Sequence, residues 1–232
     1  MVNYIKLSTE KIDKCNEFGL HMAASNSYAD SNQTSKEMIF FQGMIGKAGE
    51  FAVSLWLDRL HIKNKMDEEF IQDYASWNPD ITLVDLNKKI SVKTKSAESE
   101  KRYGMNWIFQ IGKRHDKLEE DLVALVIEDG TLQNTLKLYA LQKMKDVIPF
   151  FHTEGLPKHL IGHKCILEWV DILKNFKYPI DYTLIGGNNI NEPGKEKDDE
   201  IFNLYKSSQE EATKFSTEFG FTKLDGDRFI SL

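Results

Sequence analysis

Two carboxylates and one lysine, Glu50, Asp80 and Lys93, have the residue types needed for metal-assisted hydrolysis. A divalent ion such as Mg²⁺ prefers hard oxygen ligands, which carboxylates supply. A lysine beside a reacting phosphate can stabilise the charge that develops and can orient the attacking water. If the three side chains share one site, phosphodiester hydrolysis is therefore the chemistry that they predict.

Each of these residues also has an ordinary structural interpretation. Glu50 could be a carboxylate in the first turns of a helix, where the helix dipole favours negative charge. Asp80 follows a proline and could be a turn residue, and Lys93 could be a surface lysine on a strand. The functional hypothesis therefore depends on the elements that carry the three residues.

Those elements can be predicted from the spacing of apolar residues. In GKAGEFAVSLWLDRL apolar residues recur at three-and-four spacing, which predicts a helix from about Met44 with Glu50 in its first turn or two. DITLVDL begins with Asp80 and KISVKTK contains Lys93, and these alternating segments flank a short polar turn, which predicts a hairpin. A carboxylate at the start of one strand and a lysine inside its partner would converge at one end of a sheet.

Three further segments have strand character: WIFQI at 107–111, LVALVI at 122–127 and TLKLYAL at 135–141. The second is almost entirely apolar, which predicts a central position in the sheet. A helix is predicted at 11–29 and an acidic helix at 198–219, after a turn-rich linker. This order predicts an α/β fold with a mixed central sheet flanked by helices.

Composition sets the broad class of the protein. The chain has 232 residues, of which 41% are hydrophobic and 11% aromatic, so a sizeable folded core is expected. No stretch approaches the roughly 20 apolar residues that span a bilayer, and the first residues lack the apolar run of a signal peptide. With only Cys15 and Cys165 as cysteines, we expect no disulfide framework, no membrane and a cytoplasmic location.

Charge is unevenly distributed along the chain. The formal net charge is -6, which taken alone disfavours a simple nucleic-acid coat protein, but residues 88–117 contain nine basic residues against three acidic ones. Although charge runs are usually solvated loops, this one flanks the predicted site, so phosphate contacts are the function expected of it. The nucleic-acid-binding residues predicted from it are Lys95, Lys101, Arg102, Gln110, Lys113 and Arg114.

The segments GKAGE, NPD and SVKTK, in this order, resemble the PD-(D/E)XK nuclease superfamily, which includes many restriction, phage and repair endonucleases. The resemblance covers roughly residues 43–141 and implies a restriction-endonuclease-like sheet with extra N- and C-terminal segments. It implies that Glu50, Asp80 and the backbone carbonyl of Val92 bind Mg²⁺, with Mn²⁺ able to substitute. Lys93 would assist the attacking water. WIFQI and LVALVI match the strands that follow the family's lysine.

One position departs from the family pattern. The family usually has Asp or Glu two residues before its lysine, and this chain has Ser91 there. A hydroxyl is a weaker, neutral ligand, so the site loses a negative charge. Two hypotheses follow: a Mg²⁺-dependent DNA endonuclease of restriction or phage type, or a catalytically inactive nuclease fold that binds DNA or assembles. An RNA-directed nuclease is a weaker third alternative.

The resemblance also predicts how the chain is organised. We expect an N-terminal helical segment at 1–42, a nuclease-like core at 43–150, and a C-terminal region at 151–232 that serves recognition or dimerisation. A homodimer is expected of an enzyme that must cut both strands of DNA.

Overall fold

The computed structural model describes residues 3–25, 35–66, 80–110, 122–156 and 158–187, together with the backbone of 221–224 and 228–231. The predicted acidic helix at 198–219 and residues 26–29 of the helix predicted at 11–29 lie outside these residues, as do Lys113 and Arg114.

Two long helices precede most of the sheet. Helix α1 spans Thr9–Ser25 and α2 spans Lys36–Arg59. α2 begins after Ser35, whose hydroxyl accepts a hydrogen bond from the Met38 N–H at 3.3 Å, a typical N-cap contact. The predicted start near Met44 is therefore wrong by about two turns. Gly43 lies inside the helix and packs closely against α1, since a Cβ at this position would be 3.2 Å from the Met22 Cγ.

The central sheet is mixed, as predicted, and has six strands among the residues that the structure describes. They are β1 (Asn3–Lys6), β2 (Asn64–Met66), β3 (Ile81–Leu83), β4 (Lys88–Lys95), β6 (Leu122–Glu128) and β7 (Thr135–Lys143), with β5 placed elsewhere. Their order is β1-β7-β6-β4-β3-β2. β4 and β6 run parallel and the other neighbours are antiparallel. The hairpin β3–β4 and the buried central strand β6 are confirmed.

Strand β5 (Asn106–Gln110) contains most of WIFQI, but it lies outside the central sheet. It pairs antiparallel with β8 (Lys164–Glu168) in a separate two-stranded sheet. The expectation that it follows the lysine strand within the central sheet is wrong. β4 and β7 already occupy both edges of β6, and β5 instead buries Trp107 and Phe109 against the second hydrophobic cluster.

Short helices complete the described architecture. They are α3 (Ala97–Tyr103), α4 (Met144–Val147) and α5 (Trp169–Asn175), with three-residue or four-residue 3-10 turns at 148–150, 158–160 and 182–185. Strands β9 (Phe221–Leu224) and β10 (Arg228–Ser231) pair with each other. The long helices cover one face of the central sheet, and β5, β8 and α5 contribute to the cluster on the other face.

The described terminal segments pack with the predicted core. β1 of the expected N-terminal segment is an edge strand of the central sheet, and α2 runs through the expected boundary at 42/43. Cys165 and Leu167 of β8, with Trp169 and Ile172 of α5, share a buried cluster with β6. Residues on both sides of each expected boundary therefore share a hydrophobic cluster.

Candidate functional site

Asp80 immediately precedes β3 and contacts the partner strand. Its Oδ2 accepts a hydrogen bond from the backbone N–H of Val92 at 2.6 Å. β3 pairs only with Lys88–Ile90 of β4, so at Val92 the Asp80 side chain takes the position that a strand partner would otherwise have. Because the N–H and C=O of one strand residue face the same edge, the Val92 carbonyl lies on the Asp80 side. Two of the three predicted metal ligands thus meet.

The side chains of β4 alternate between the two faces of the sheet. Ile90 and Val92 pack in the hydrophobic cluster that contains α2, so Lys93 lies on the opposite face. Its ammonium is 5.7 Å from the ring centroid of Phe109, a residue of β5 in the other cluster. The predicted site residues therefore lie on both faces of the central sheet. Glu50 is in the helix layer on one face, Lys93 is on the opposite face, and Asp80 is at the edge between them.

Glu50 lies in the middle of α2, about four turns from its start, so its interpretation as a carboxylate of the first turns is wrong. Its Oε2 accepts a hydrogen bond from the Lys47 ammonium at 2.6 Å. The side chains of Lys47 and Glu50 are only 8% and 15% exposed. A lysine and a glutamate three residues apart lie on the same side of a helix, so the spacing could have indicated this pair.

The surroundings of the pair belong to α1. The Lys47 ammonium lies 4.4 Å from the ring centroid of Phe18. Cys15 is fully buried nearby, and burial, followed by the negative charge of Glu50, raises the pKa of its thiol to about 12. Neither Cys15 nor Phe18 carries a sequence signal for this location, because it depends on how α1 packs against α2.

Gly49 brings the backbone of α2 directly against β4. A Cβ at position 49 would lie 1.8 Å from the Thr94 Oγ1, so only glycine allows this approach. The Thr94 hydroxyl is buried and makes no hydrogen bond within the described residues. Because adjacent Cα atoms are about 3.8 Å apart, this contact also brings the backbone of Glu50 close to the lysine strand.

A second lysine lies near Lys93. Burial lowers the pKa of Lys164, and the positive charge of Lys93 lowers it further. Lys164 is opposite Gln110 in the β5–β8 ladder, and Gln110 is exposed, as its predicted role requires. Lys164 was not predicted from the sequence, because it lies near Lys93 only through the pairing of β5 with the distant strand β8.

The predicted nucleic-acid contacts differ in their surroundings. Lys95 is 7% exposed, and its ammonium donates to the backbone carbonyl of Asn106 at 3.1 Å and to its Oδ1 at 2.5 Å. Burial lowers the pKa of Lys95 to about 8. Lys101 and Arg102 are exposed on α3, where Arg102 pairs with Glu98 at 2.9 Å. Lys95 is therefore a buried residue that joins β4 to β5 through Asn106, whereas Lys101 and Arg102 face solvent.

The donor chemistry of the candidate site suits a hard cation. Asp80 and Glu50 offer carboxylate oxygens and Val92 offers a carbonyl oxygen, which are ligands that Mg²⁺ accepts. Ser91 is in the position that would supply a third carboxylate. The part of the chain that the structure describes contains no group of three or more His, Cys, Asp or Glu residues placed to hold a metal ion.

No family model, no curated protein and no solved structure matches this chain. Within the residues described, no helix combines the length and the apolar character needed to cross a membrane. A functional conclusion therefore depends on the residues and their geometry.

Proposed function

We propose that the protein is a Mg²⁺-dependent endonuclease that hydrolyses DNA phosphodiester bonds, of restriction or phage type. The observation that carries the proposal is the contact between the Asp80 Oδ2 and the Val92 N–H at 2.6 Å. It supports the proposal because it joins two predicted ligand positions at the residue directly before Lys93.

The order of the elements supports the same conclusion. α2 with Glu50 is followed by the antiparallel hairpin β3–β4 with Asp80 and Lys93, and α3 then leads towards β6, which is parallel to β4. This is the succession of helix, hairpin and later strand on which the resemblance to the PD-(D/E)XK nucleases was based. The parallel pairing of β4 and β6 requires such a crossover connection.

Each residue has a defined role in the proposed mechanism. When bound, the metal ion would supply Lewis-acid stabilisation of the phosphate and a more acidic water molecule. Asp80, Glu50 and the Val92 carbonyl would hold it. Lys93 would donate a hydrogen bond to the phosphate or the attacking water, stabilising negative charge in the transition state.

DNA would be held by the basic residues around this edge. Lys101 and Arg102 are exposed, and Lys164 adds a cation near Lys93. Lysine and arginine contacts to phosphate position DNA without selecting its sequence, so specificity would come from other parts of the chain. We also propose a homodimer and a cytoplasmic location. The free thiols of Cys15 and Cys165 are compatible with a reducing compartment such as the cytoplasm.

A catalytically inactive DNA-binding or assembly protein is the second candidate. Ser91 stands where one carboxylate is expected. Its neutral hydroxyl reduces the negative charge available to a metal. This alternative predicts DNA binding without cleavage at any Mg²⁺ or Mn²⁺ concentration.

The test is a cleavage assay on plasmid and single-stranded DNA with Mg²⁺ or Mn²⁺. Asp80→Asn retains an oxygen acceptor for the Val92 N–H but removes the charge, so it should abolish cleavage and leave the fold intact. Asp85→Asn is the matched control, because Asp85 lies in the turn of the same hairpin, is 66% exposed and pairs only loosely with Lys63 at 3.7 Å.

Lys93→Ala should also remove cleavage, and an RNA competitor should not suppress cleavage of DNA. Full activity in Asp80→Asn would refute the mechanism. Cleavage in neither the wild-type protein nor its variants would favour the inactive module. Light scattering that gives the mass of one chain would contradict the dimer.

A further inference from the structure

Lys47 is a buried lysine that forms an ion pair with Glu50, one of the proposed metal ligands. Its ammonium donates to the Glu50 Oε2 at 2.6 Å, which is short even for a charge-assisted hydrogen bond. The same ammonium stacks on the Phe18 ring at 4.4 Å. With side-chain exposures of 8% and 15%, both partners are largely shielded from water. One carboxylate oxygen of Glu50 therefore has a fixed partner.

A structural role for this pair at the helix interface is an insufficient explanation. A buried ion pair is often no more stabilising than apolar residues of the same volume, because both charges must be desolvated. The same α1–α2 interface also contains Lys11, whose ammonium lies 4.5 Å from the ring centroid of Phe51. A lysine can thus pack across this interface through an aromatic ring.

The position of the pair suggests a reason for it. Glu50 directly follows Gly49, the residue that brings α2 against Thr94 of the lysine strand. A glutamate side chain has three rotatable bonds, so at this point it needs an external contact to hold its carboxylate in one orientation. Hydrogen bonds from neighbouring groups orient metal ligands in this way in many metal sites.

We propose that Lys47 is a positioning residue that holds the Glu50 carboxylate, through Oε2, in the orientation in which it binds a divalent cation together with Asp80. The inference deepens the proposed nuclease function and rests on it. Lys47 itself touches neither the metal nor the DNA in this proposal, and its effect is transmitted entirely through Glu50.

Direct Mn²⁺ binding is the decisive measurement, followed through the electron paramagnetic resonance signal of free Mn²⁺ during a titration of the full-length protein. Lys47→Met keeps most of the side-chain volume and removes the ammonium. It should weaken Mn²⁺ binding about 10-fold to 100-fold, the usual effect of losing a group that orients a metal ligand. Lys47→Arg, which retains the charge and donors, should recover most of the affinity.

Two controls separate positioning from general stability. Lys11→Met removes a lysine from the same helix interface and from the same kind of aromatic contact, so it should leave the Mn²⁺ affinity unchanged. In a Glu50→Gln background, Lys47→Met should cause no further loss, because its effect acts through the Glu50 carboxylate. If Lys47→Met does not fold, Lys47→Gln replaces it and should also bind Mn²⁺ more weakly than the wild-type protein.

Three results would overturn the inference. They are an unchanged Mn²⁺ affinity in the Lys47 variant, an equal loss in Lys11→Met, and a further loss in the Glu50→Gln background. A wild-type protein that cleaves DNA while its Lys47 variant binds Mn²⁺ normally would refute the inference alone. A wild-type protein that neither binds Mn²⁺ nor cleaves DNA would refute the proposed function, and the inference with it.

Discussion

Replacing two glycines of α2 by alanine should change stability in opposite directions, because their surroundings differ. A Cβ at Gly49 would lie 1.8 Å from the Thr94 Oγ1, whereas a Cβ at Gly46 would meet nothing within 4 Å. Both positions are inside the same helix, so the gain in helix propensity from alanine is similar for both, up to about 1 kcal/mol. The difference between the variants therefore reports the contact with β4.

The size of the effect follows from the distances. The Gly49 Cβ would be 1.6 Å short of the 3.4 Å at which ordinary contact with the Thr94 hydroxyl begins, and the Thr94 Cβ and Cγ2 would be only 2.9 and 3.0 Å away. Rotation of the threonine side chain cannot move its Cβ, so the helix and the strand must separate. Overpacking of this kind costs about 1–3 kcal/mol, so a propensity gain of about 1 kcal/mol leaves a net loss of up to about 2 kcal/mol.

Urea unfolding monitored by tryptophan fluorescence would measure the free energy of unfolding of each variant. Gly46→Ala should be more stable than the wild-type protein by up to about 1 kcal/mol. Thr94→Ala combined with Gly49→Ala should recover part of the loss, because it removes Oγ1 and Cγ2 but leaves the Cβ contact at 2.9 Å. If Gly49→Ala is as stable as Gly46→Ala, the close approach of α2 to β4 is refuted.

Three further predictions concern buried titratable groups. The pKa of Lys95 is lowered by burial to about 8, so the unfolded chain binds more protons between about pH 8 and its ordinary value of 10.5. Stability should rise with pH across that window, and the rise should be smaller in Lys95→Met. Burial raises the pKa of Cys15 to about 12 and that of Cys165 to about 11, so both thiols should resist a disulfide reagent at pH 8 until urea unfolds the chain. Hydrogen bonds from Thr131 hold the pKa of Asp129 well below its usual range, so its stabilising contribution is present above about pH 4 and is lost as the pH falls. Acid titration of Asp129→Asn should show a smaller loss of stability than the wild-type protein.

Local patterns in the sequence predicted the strands better than the helix boundary. The alternation in DITLVDL and KISVKTK is enough to place β3 and β4 in a hairpin, and the apolar run of β6 is enough to make it central. The start of α2 was predicted directly after Gly43, a residue of low helix propensity, whereas the helix begins at Lys36. Inside the folded chain, Gly43 instead permits close packing with α1, a tertiary effect that outweighs helix propensity.

In the candidate site, too, contacts within one hairpin could be predicted from sequence, whereas contacts between distant segments could not. Asp80 and Val92 meet because they belong to one hairpin, whose register can be inferred from sequence. Lys95 is buried against Asn106, and Lys164 lies near Lys93, because β5 pairs with β8 instead of joining the central sheet. That pairing joins segments more than 50 residues apart, and their hydrophobic pattern fits a strand in either sheet, so sequence alone could not distinguish the two.

The shortness of β3 links the fold to the proposed chemistry. If β3 continued along β4, its backbone would take up the N–H and the carbonyl of Val92. Position 79 is a proline, which has no N–H to give to such a ladder, and β3 begins only at Ile81. Asp80 then satisfies the Val92 N–H with its side chain, as a buried backbone donor requires. The carbonyl on the same edge is left without a strand partner from β3, so the side chain of Asp80 places a carboxylate on the same edge as a backbone oxygen, the two ligand types that the proposed Mg²⁺ site would use.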